Sequence, residues 1–341
     1  LSYQLDRFRD TVNTLPDAVL IIDRSGRIDW SNPAAGDLLD IIWPDSRGRL
    51  LTALAPDPVL RDYLASGDFA MPLVITSPAN PSKILSIFTT ALKHEANRLL
   101  VVARNITGEY YLDATRRDFV ANVSHELRTP LTVISGLAEQ LNMNQQEPAI
   151  LQRSTELILQ QAKRMNELVS DLLTLSQLET QQEPAAGERV PTGELLTTIV
   201  EEARALSGAA RHVVQLEILS PAGLRGNEKE LRTAFSNLVS NAIRHTPDRA
   251  EVRVRWQTDH EGAHLSVTDT GAGIAPRHIP RLTERMYRVD AGHSRDSGGT
   301  GLGLAIVKHV LERHEARLEI VSSVGSGSNF ICHFPLERVI T

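Results

Sequence analysis

Cysteine is nearly absent from this sequence, with Cys332 the only one in 341 residues. One thiol excludes an internal disulfide and any multi-cysteine metal site, as expected of a protein kept in a reducing cytosol. Cys332 lies in the apolar run Phe330 to Phe334 and reads as a buried strand residue rather than a reactive thiol. Aromatic residues make up only 4% of the chain, which argues against a base-stacking nucleic-acid platform. The formal net charge is −6 and basic residues gather on no one segment, so direct nucleic-acid binding is not expected. No run approaches the ~20 consecutive apolar residues of a membrane helix. There is no signal-peptide pattern. The chain opens at Leu1 in mid-helical pattern and reads as a fragment, which leaves room for an upstream membrane segment.

What is present is ordinary material for cores. Hydrophobic residues account for 41% and charged residues for 23%, and the length calls for two or three domains. Residues 1–107 read as a small α+β domain. Ala18 to Asp23 has strand character, Ser25-Gly26 supplies a turn, and Arg27 to Trp30 alternates, which predicts a hairpin. Asn32-Pro33 predicts an N-cap followed by proline at the first helical position. Further strands are expected at Leu73 to Thr76, Ile84 to Thr89 and Leu99 to Ala103.

Residues 108–182 are helical. Leu151, Ser154, Ile158, Gln161, Met165, Leu168, Leu172 and Leu175 follow 3-4 spacing, a seam that wants a partner helix. The preceding helix has its own apolar face through Phe119, Val123, Leu127, Leu131 and Ile134, and Asn142 to Pro148 reads as the hairpin loop. Two helices cannot bury two seams, so a four-helix bundle from two chains is the economical solution. After a linker at Gln182 to Pro191, residues 188–341 alternate helical and strand patterns and predict an α/β sandwich.

The chemistry is concentrated in a few motifs. In Ser124-His-Glu-Leu-Arg-Thr-Pro130, Glu126 can accept a ring proton from His125 and leave the other nitrogen as a nucleophile. Thr129 lies one turn on, beside His125. Pro130 inside a helix removes a backbone donor and needs a reason, such as a bend. Asn237 and Asn241 share one helix face, and an amide oxygen suits Mg²⁺ when phosphates and waters complete the octahedron. Asp269, at a strand end, begins Asp-Thr-Gly-Ala-Gly273 and can accept from an exocyclic amine, while the glycines let backbone approach a flat base. Gly299-Thr-Gly-Leu-Gly303 runs into an amphipathic helix, whose free amides make an anion site. It lacks the Lys-Ser/Thr of a P-loop and does not follow a strand as a dinucleotide fingerprint should.

The stretch Phe119 to Thr132 closely resembles the phosphoacceptor box of sensor histidine kinases and is most similar to the phosphate-regulon sensor subfamily. The order of phosphoacceptor box, heptad helix, paired asparagines, Asp-x-Gly-x-Gly, lid and glycine loop resembles the same family over about the C-terminal two-thirds of the chain. The resemblance implies a multidomain α+β protein with a dimeric four-helix bundle and a GHKL (Bergerat-type) ATP-binding sandwich. It implies that His125 is phosphorylated from ATP, with Glu126 as the assisting base and Thr129 orienting water in regulator dephosphorylation. The phosphoryl group would pass to an aspartate on the receiver domain of a response regulator.

By the same resemblance Asn237, Asn241, Arg244, His245, Asp269, Gly271, Gly273, Gly299, Thr300, Gly301, Leu302, Gly303 and Ser328 line the ATP site, with Asn241 on Mg²⁺. A glutamate general base stands at the Asn237 position in related ATP-hydrolysing enzymes, and an amide cannot take that role. Leu282 to Arg288 resembles the aromatic box of the nucleotide lid, with Tyr287 in it and Met286 where a second aromatic is usual. Either Arg285 or Arg288 is a candidate for the γ-phosphate. Ser294 to Gly299 reads as part of the mobile lid.

The first zone resembles a PAS sensory domain. It contains no flavin-reactive cysteine, and its one histidine, His94, lies in a polar run. An unliganded dimerisation and relay module is the favoured reading. The whole is expected to be the cytoplasmic portion of a protein anchored in the bacterial inner membrane through a segment absent from this chain. A chaperone-like ATPase with the same nucleotide fold and a decayed scaffold are the rival readings.

Overall fold

Leu85, Ile87 and Thr89 are buried while Phe88 between them is 47% exposed, the period-2 signature of a sheet covered on one side. The computed structural model describes residues 10–92, 95, 97–142, 148–180, 187–289 and 299–340, and divides into two compact units, Leu1–Asp118 and Phe119–Thr341. His94, most of the Asn142 to Pro148 loop, the first half of the Gln182 to Pro191 linker and most of the Ser294 to Gly299 lid lie outside the described residues.

The first unit holds β1 (Ala18–Asp23), β2 (Ile28–Ser31), α1 (Ala34–Leu39), α2 (Leu51–Leu54), α3 (Pro58–Ser66), β3 (Leu73–Thr76), β4 (Ile84–Ala91) and β5 (Arg98–Asn105). The strands form one antiparallel sheet in the order β2-β1-β5-β4-β3. The expected hairpin and later strands are all present.

The Asn32-Pro33 cap is not. Pro33 is the N-cap of α1, and no side chain caps that helix. The Asn32 amide is used elsewhere. Its Oδ1 accepts from the Val19 N–H at 2.9 Å, and its Nδ2 donates to the carbonyls of Val12 and Asp17 at 3.1 and 3.0 Å. A buried amide satisfies buried main chain before it caps a helix. The expected cap-and-proline pattern occurs instead at Asp57-Pro58, where Asp57 accepts from the N–H groups of Val59 and Leu60.

The second unit includes a helical hairpin of α4 (Thr107–Asn142) from Phe119 onward and α5 (Pro148–Thr180). The expected seam is realised in part. Ser154, Leu168 and Leu175 are buried and the row continues to Leu178, but Leu151 is 50% exposed. Val120, Leu131, Leu157, Leu159 and Leu173 also face outward, apolar surface that two helices leave uncovered.

The remainder is β6 (Glu188–Val190), α6 (Thr192–Ser207), β7 (Val213–Ile218), β8 (Gly223–Gly226), α7 (Glu228–His245), β9 (Glu251–Thr258), β10 (Gly262–Asp269), α8 (Gly303–Arg313), β11 (Arg317–Ser322), β12 (Ser328–Pro335) and β13 (Val339–Ile340). The main sheet runs β11-β12-β10-β9-β7, antiparallel except for the parallel β7–β9 pair, and β13-β8-β6 forms a small second sheet. Val252, Val254 and Trp256 on β9 alternate inward, as do Phe330, Cys332 and Phe334 on β12.

Against them pack Leu231, Ala234, Phe235, Leu238, Val239 and Ala242 of α7, at the 3-4 spacing of one helix face. The Trp256 indole N–H donates to the Ala222 carbonyl at 2.9 Å, so this large side chain is buried with its polar group satisfied. Burial raises the Cys332 thiol well above its ordinary range, as befits a packed strand residue.

Asn227 caps α7 through the N–H groups of Lys229 and Glu230. Glu230 then pairs with Arg313 at 3.0 Å, tying the start of α7 to the end of α8. The C-terminal half of α5 joins the same core through Leu168, Leu175 and Leu178.

Candidate functional site

His125 lies on the exposed side of α4, and the Thr129 hydroxyl donates back to the His125 carbonyl at 3.2 Å. Pro130 is buried within the helix. Glu126, the residue expected to accept the ring proton, points to the other helix: its Oε2 pairs with Nη2 of Arg164 on α5 at 3.2 Å.

The second constellation is assembled from distant segments. Asp269 ends β10, is 7% exposed, and accepts the Gly271 N–H at 2.8 Å. Loss of solvent raises its pKa above the ordinary carboxylate value; main-chain bonds from Gly271 and Ser328 act in the opposite direction. Ser328 pairs with Asp269 in the sheet register, and its hydroxyl meets that of Ser322 at 3.0 Å. Gly273 has φ +69°, and a Cβ there would lie 1.9 Å from the Ser323 carbonyl oxygen, so this loop position admits only glycine.

α7 presents Asn237 and Asn241 one turn apart, and its C-terminal end lies against the Asp269 loop, where a Cβ on Gly271 would be 3.0 Å from the His245 carbonyl oxygen. The Asn237 Nδ2 donates to the Thr233 carbonyl at 3.0 Å, and a Cβ on Gly303 would meet its Oδ1 at 2.7 Å. Glycine at the start of α8 thus leaves the Asn237 amide undisturbed, where a larger residue would have to displace it. The Asn241 amide is half-buried and makes no side-chain hydrogen bond to another described residue. That hard amide oxygen fits a Mg²⁺ whose other positions are phosphate and water oxygens.

His245 ends α7, and partial loss of solvent around its ring, then the charges of Arg288 and Arg244, lower its pKa. In the lid segment, Tyr287 donates or accepts at His278 Nδ1 (2.7 Å) under the Arg281 guanidinium, 4.2 Å from the ring centroid. Met286, the departure from the aromatic pattern, has φ +62° and donates its N–H to the Gly301 carbonyl at 2.9 Å. The link between lid and glycine loop is therefore main chain, while the Met286 side chain packs against the apolar core. Gly299 is half-buried, and the side chain of Leu302 is fully buried in the core. Leu302 offers the loop only its N–H, which donates to Thr300 Oγ1 at 3.2 Å.

Three expected site residues meet partners on α5 that sequence reasoning missed. The Thr300 hydroxyl donates to Asp171 Oδ2 at 2.8 Å, Arg244 faces Glu167 at 3.7 Å, and Arg285 pairs with Glu179 at 2.6 Å. The Arg285 guanidinium also lies 5.3 Å from the Phe119 ring centroid. Burial, followed by repulsion from Glu167, raises the pKa of Asp171, while its Thr300 bond lowers it. The spacing of Glu167 and Asp171 marks one face of α5, yet nothing local says which surface that face meets.

Residues 115–181 match the family described as "His Kinase A (phospho-acceptor) domain", and residues 226–338 match "Histidine kinase-, DNA gyrase B-, and HSP90-like ATPase". The chain is 46% identical over 337 residues to the "Phosphate regulon sensor protein PhoR" of Pseudomonas aeruginosa, spanning 98% of this chain and 75% of that protein. It is 32% identical over 340 residues to the protein of the same name from Haemophilus influenzae, spanning 99% and 78%. Among solved structures, the histidine kinase ThkA in complex with response regulator protein TrrA superposes with a TM-score of 0.53 at 18% identity, over 94% of this chain and 95% of that one, a likeness of fold. The chain belongs to the sensor histidine kinases of two-component systems, in the family of the phosphate regulon sensor proteins.

Proposed function

We propose that His125 is the residue this kinase phosphorylates, drawing on ATP held between α7 and the loops at Asp269 and Gly299. The observation that carries the reading is the pairing, in one compact unit, of an exposed helical histidine with a buried carboxylate whose loop meets the end of α7, two amides on that helix and a glycine-started helix packed against one of them. Asp269 accepts from the adenine amine. The main-chain N–H groups at the start of α8 receive phosphate oxygens. Asn241 holds Mg²⁺, which when bound neutralises phosphate charge. Asn237, lacking basicity, does not activate water, and the site favours transfer over hydrolysis. Phosphohistidine then passes its group to a receiver-domain aspartate, and Thr129 orients water in the separate hydrolysis of that aspartyl phosphate, regulator dephosphorylation.

In the arrangement described, Thr300, Arg244 and Arg285 are held by α5. Partly exposed contacts of this kind contribute ~0.2–1 kcal/mol each. Nucleotide phosphates compete with those carboxylates, and the domain is released to carry the γ-phosphate to His125.

The remaining parts of the reading are a PAS-like first unit, supported by its five-stranded antiparallel sheet with helices between β2 and β3, and domain limits near 107 and 182–188. Two chains pair through the hairpin, supported by its exposed leucines. A phosphate-starvation signal is supported by the names of the relatives. No described helix is long and apolar enough to cross a membrane, and inner-membrane attachment through another segment rests on the subfamily likeness alone.

The test is autophosphorylation with γ-labelled ATP and Mg²⁺ in wild type and His125→Gln. Acid-labile, base-stable label that disappears in the variant is expected. Phosphate release without labelled protein would instead favour an ATPase.

A further inference from the structure

We infer that Arg164 is a positioning residue for the phosphorylation of His125 and acts through Glu126. The inference rests on the reading of His125 as phosphoacceptor and Glu126 as its assisting base.

His125 and Glu126 are consecutive on α4, so they project about 100° apart around the helix. His125 faces outward and Glu126 is half-buried towards α5. A glutamate side chain in that place has several staggered rotamers, and only some bring a carboxylate oxygen to the neighbouring ring. Arg164 removes that freedom. Its guanidinium, on the facing helix, meets Glu126 Oε2 at 3.2 Å, with side-chain exposures of 25% and 37%. One oxygen is thereby anchored on the α5 side, which narrows the rotamers open to the Glu126 carboxylate and leaves its other oxygen for the neighbouring ring.

The contact matters little to the fold. A third-exposed ion pair is screened by solvent and adds at most a small increment to stability. The unit is instead held by the buried apolar row Leu168, Leu175 and Leu178 and the core it joins. A weak bond placed on the carboxylate next in sequence to the proposed phosphoacceptor has its effect through geometry, where small misplacements cost large factors in rate. The planar fork of arginine sets a direction that the point charge of lysine sets less well.

The experiment is autophosphorylation of the full chain in a double-mutant cycle of Arg164→Gln and Glu126→Gln, with Arg164→Lys alongside. Arg164→Gln should lower the maximal rate about 10-fold with the ATP concentration for half-maximal rate unchanged. Arg164→Lys should recover part of the loss, and adding Arg164→Gln to Glu126→Gln should cost nothing further. The ratio of the two neutral tautomers of the His125 ring, read by ¹⁵N NMR, should shift in Arg164→Gln in the same sense as in Glu126→Gln.

Independent, additive losses would mean that Arg164 meets the phosphate itself, and would overturn the inference. So would an unchanged tautomer ratio, or a rate loss tracking a fall in melting temperature or dimer content. A wild-type rate in Arg164→Gln, with Glu126→Gln slow and His125→Gln unlabelled, would sink this inference and leave the phosphoacceptor reading standing. Label persisting in His125→Gln would sink that reading first.

Discussion

His125 and Asp269 are the two ends of one proposed reaction, yet they are built differently. His125 stands in the open on a helix, with Glu126 and Thr129 within one turn. Asp269 is 7% exposed and sits with Gly271 beside it, Ser328 on the next strand and the end of α7 close to its loop. In the proposed reaction the histidine is reached by a moving domain, which asks for access. In the same proposal the carboxylate selects a flat base, which asks for a dry, preformed wall. The first site tolerates change around it, whereas the second carries the cost of burying a charge.

The sharpest way to break that contrast is Asp269→Asn. Removing the charged acceptor should weaken ATP binding about 10–100-fold, read with a fluorescent ATP analogue. The same change should raise thermal stability at neutral pH. A carboxyl whose folded pKa is raised above its unfolded value penalises the fold while ionised, and the penalty is relieved as pH falls through the folded value. A lower melting temperature in the variant would show that the buried charge holds the loop together instead of burdening it.

A second test uses His314, which is 1% exposed. Its Nδ1–H donates to the Val310 carbonyl at 2.7 Å and its Nε2 accepts the Asn227 N–H at 3.1 Å, which fixes the neutral tautomer. Burial, and after it Arg338 and Arg313, lower its pKa against the pull of the Val310 carbonyl and Glu230. A lowered imidazole contributes stability that is present above the unfolded pKa and lost as pH falls from there to the folded one. Melting temperature should therefore fall by a few degrees across that window, and less steeply in His314→Gln. Equal slopes would remove His314 as the cause.

The smallest expected effect lies at the join between the two sites. Asp171→Ala frees Thr300 from α5 and should tighten ATP about 2–5-fold. The difference should shrink in high salt as the neighbouring Glu167–Arg244 and Glu179–Arg285 pairs are screened in both proteins. Weaker binding would make Asp171 a support of the glycine loop and not its competitor.

Much of this was written along the chain. The helical pattern expected within residues 188–341 is plain in Glu228–His245, whose apolar residues recur at helical spacing behind an asparagine cap. The main sheet strands were legible from alternation, as in Glu251 to Trp256 and Asn329 to Phe334. The short strand Gly223–Gly226 was not, since glycine carries no strand signature and only pairing with β6 and β13 makes it one. Asn32-Pro33 misled for a related reason: the amide suits a helix cap equally well, and the folded chain uses it on Val19, Val12 and Asp17.

By itself the sequence determined the periodic helices and strands, the family-like motifs and the identity of nearly every group proposed for the chemistry, because period, cap chemistry and motif order are local properties. Tertiary structure alone decided that Glu126 turns to Arg164, that Thr300, Arg244 and Arg285 are engaged by one face of α5, and that Met286 joins the glycine loop through its main chain. Each of these pairs residues far apart in the chain, and a side chain's choice among several adequate partners is settled only when packing brings one of them within reach.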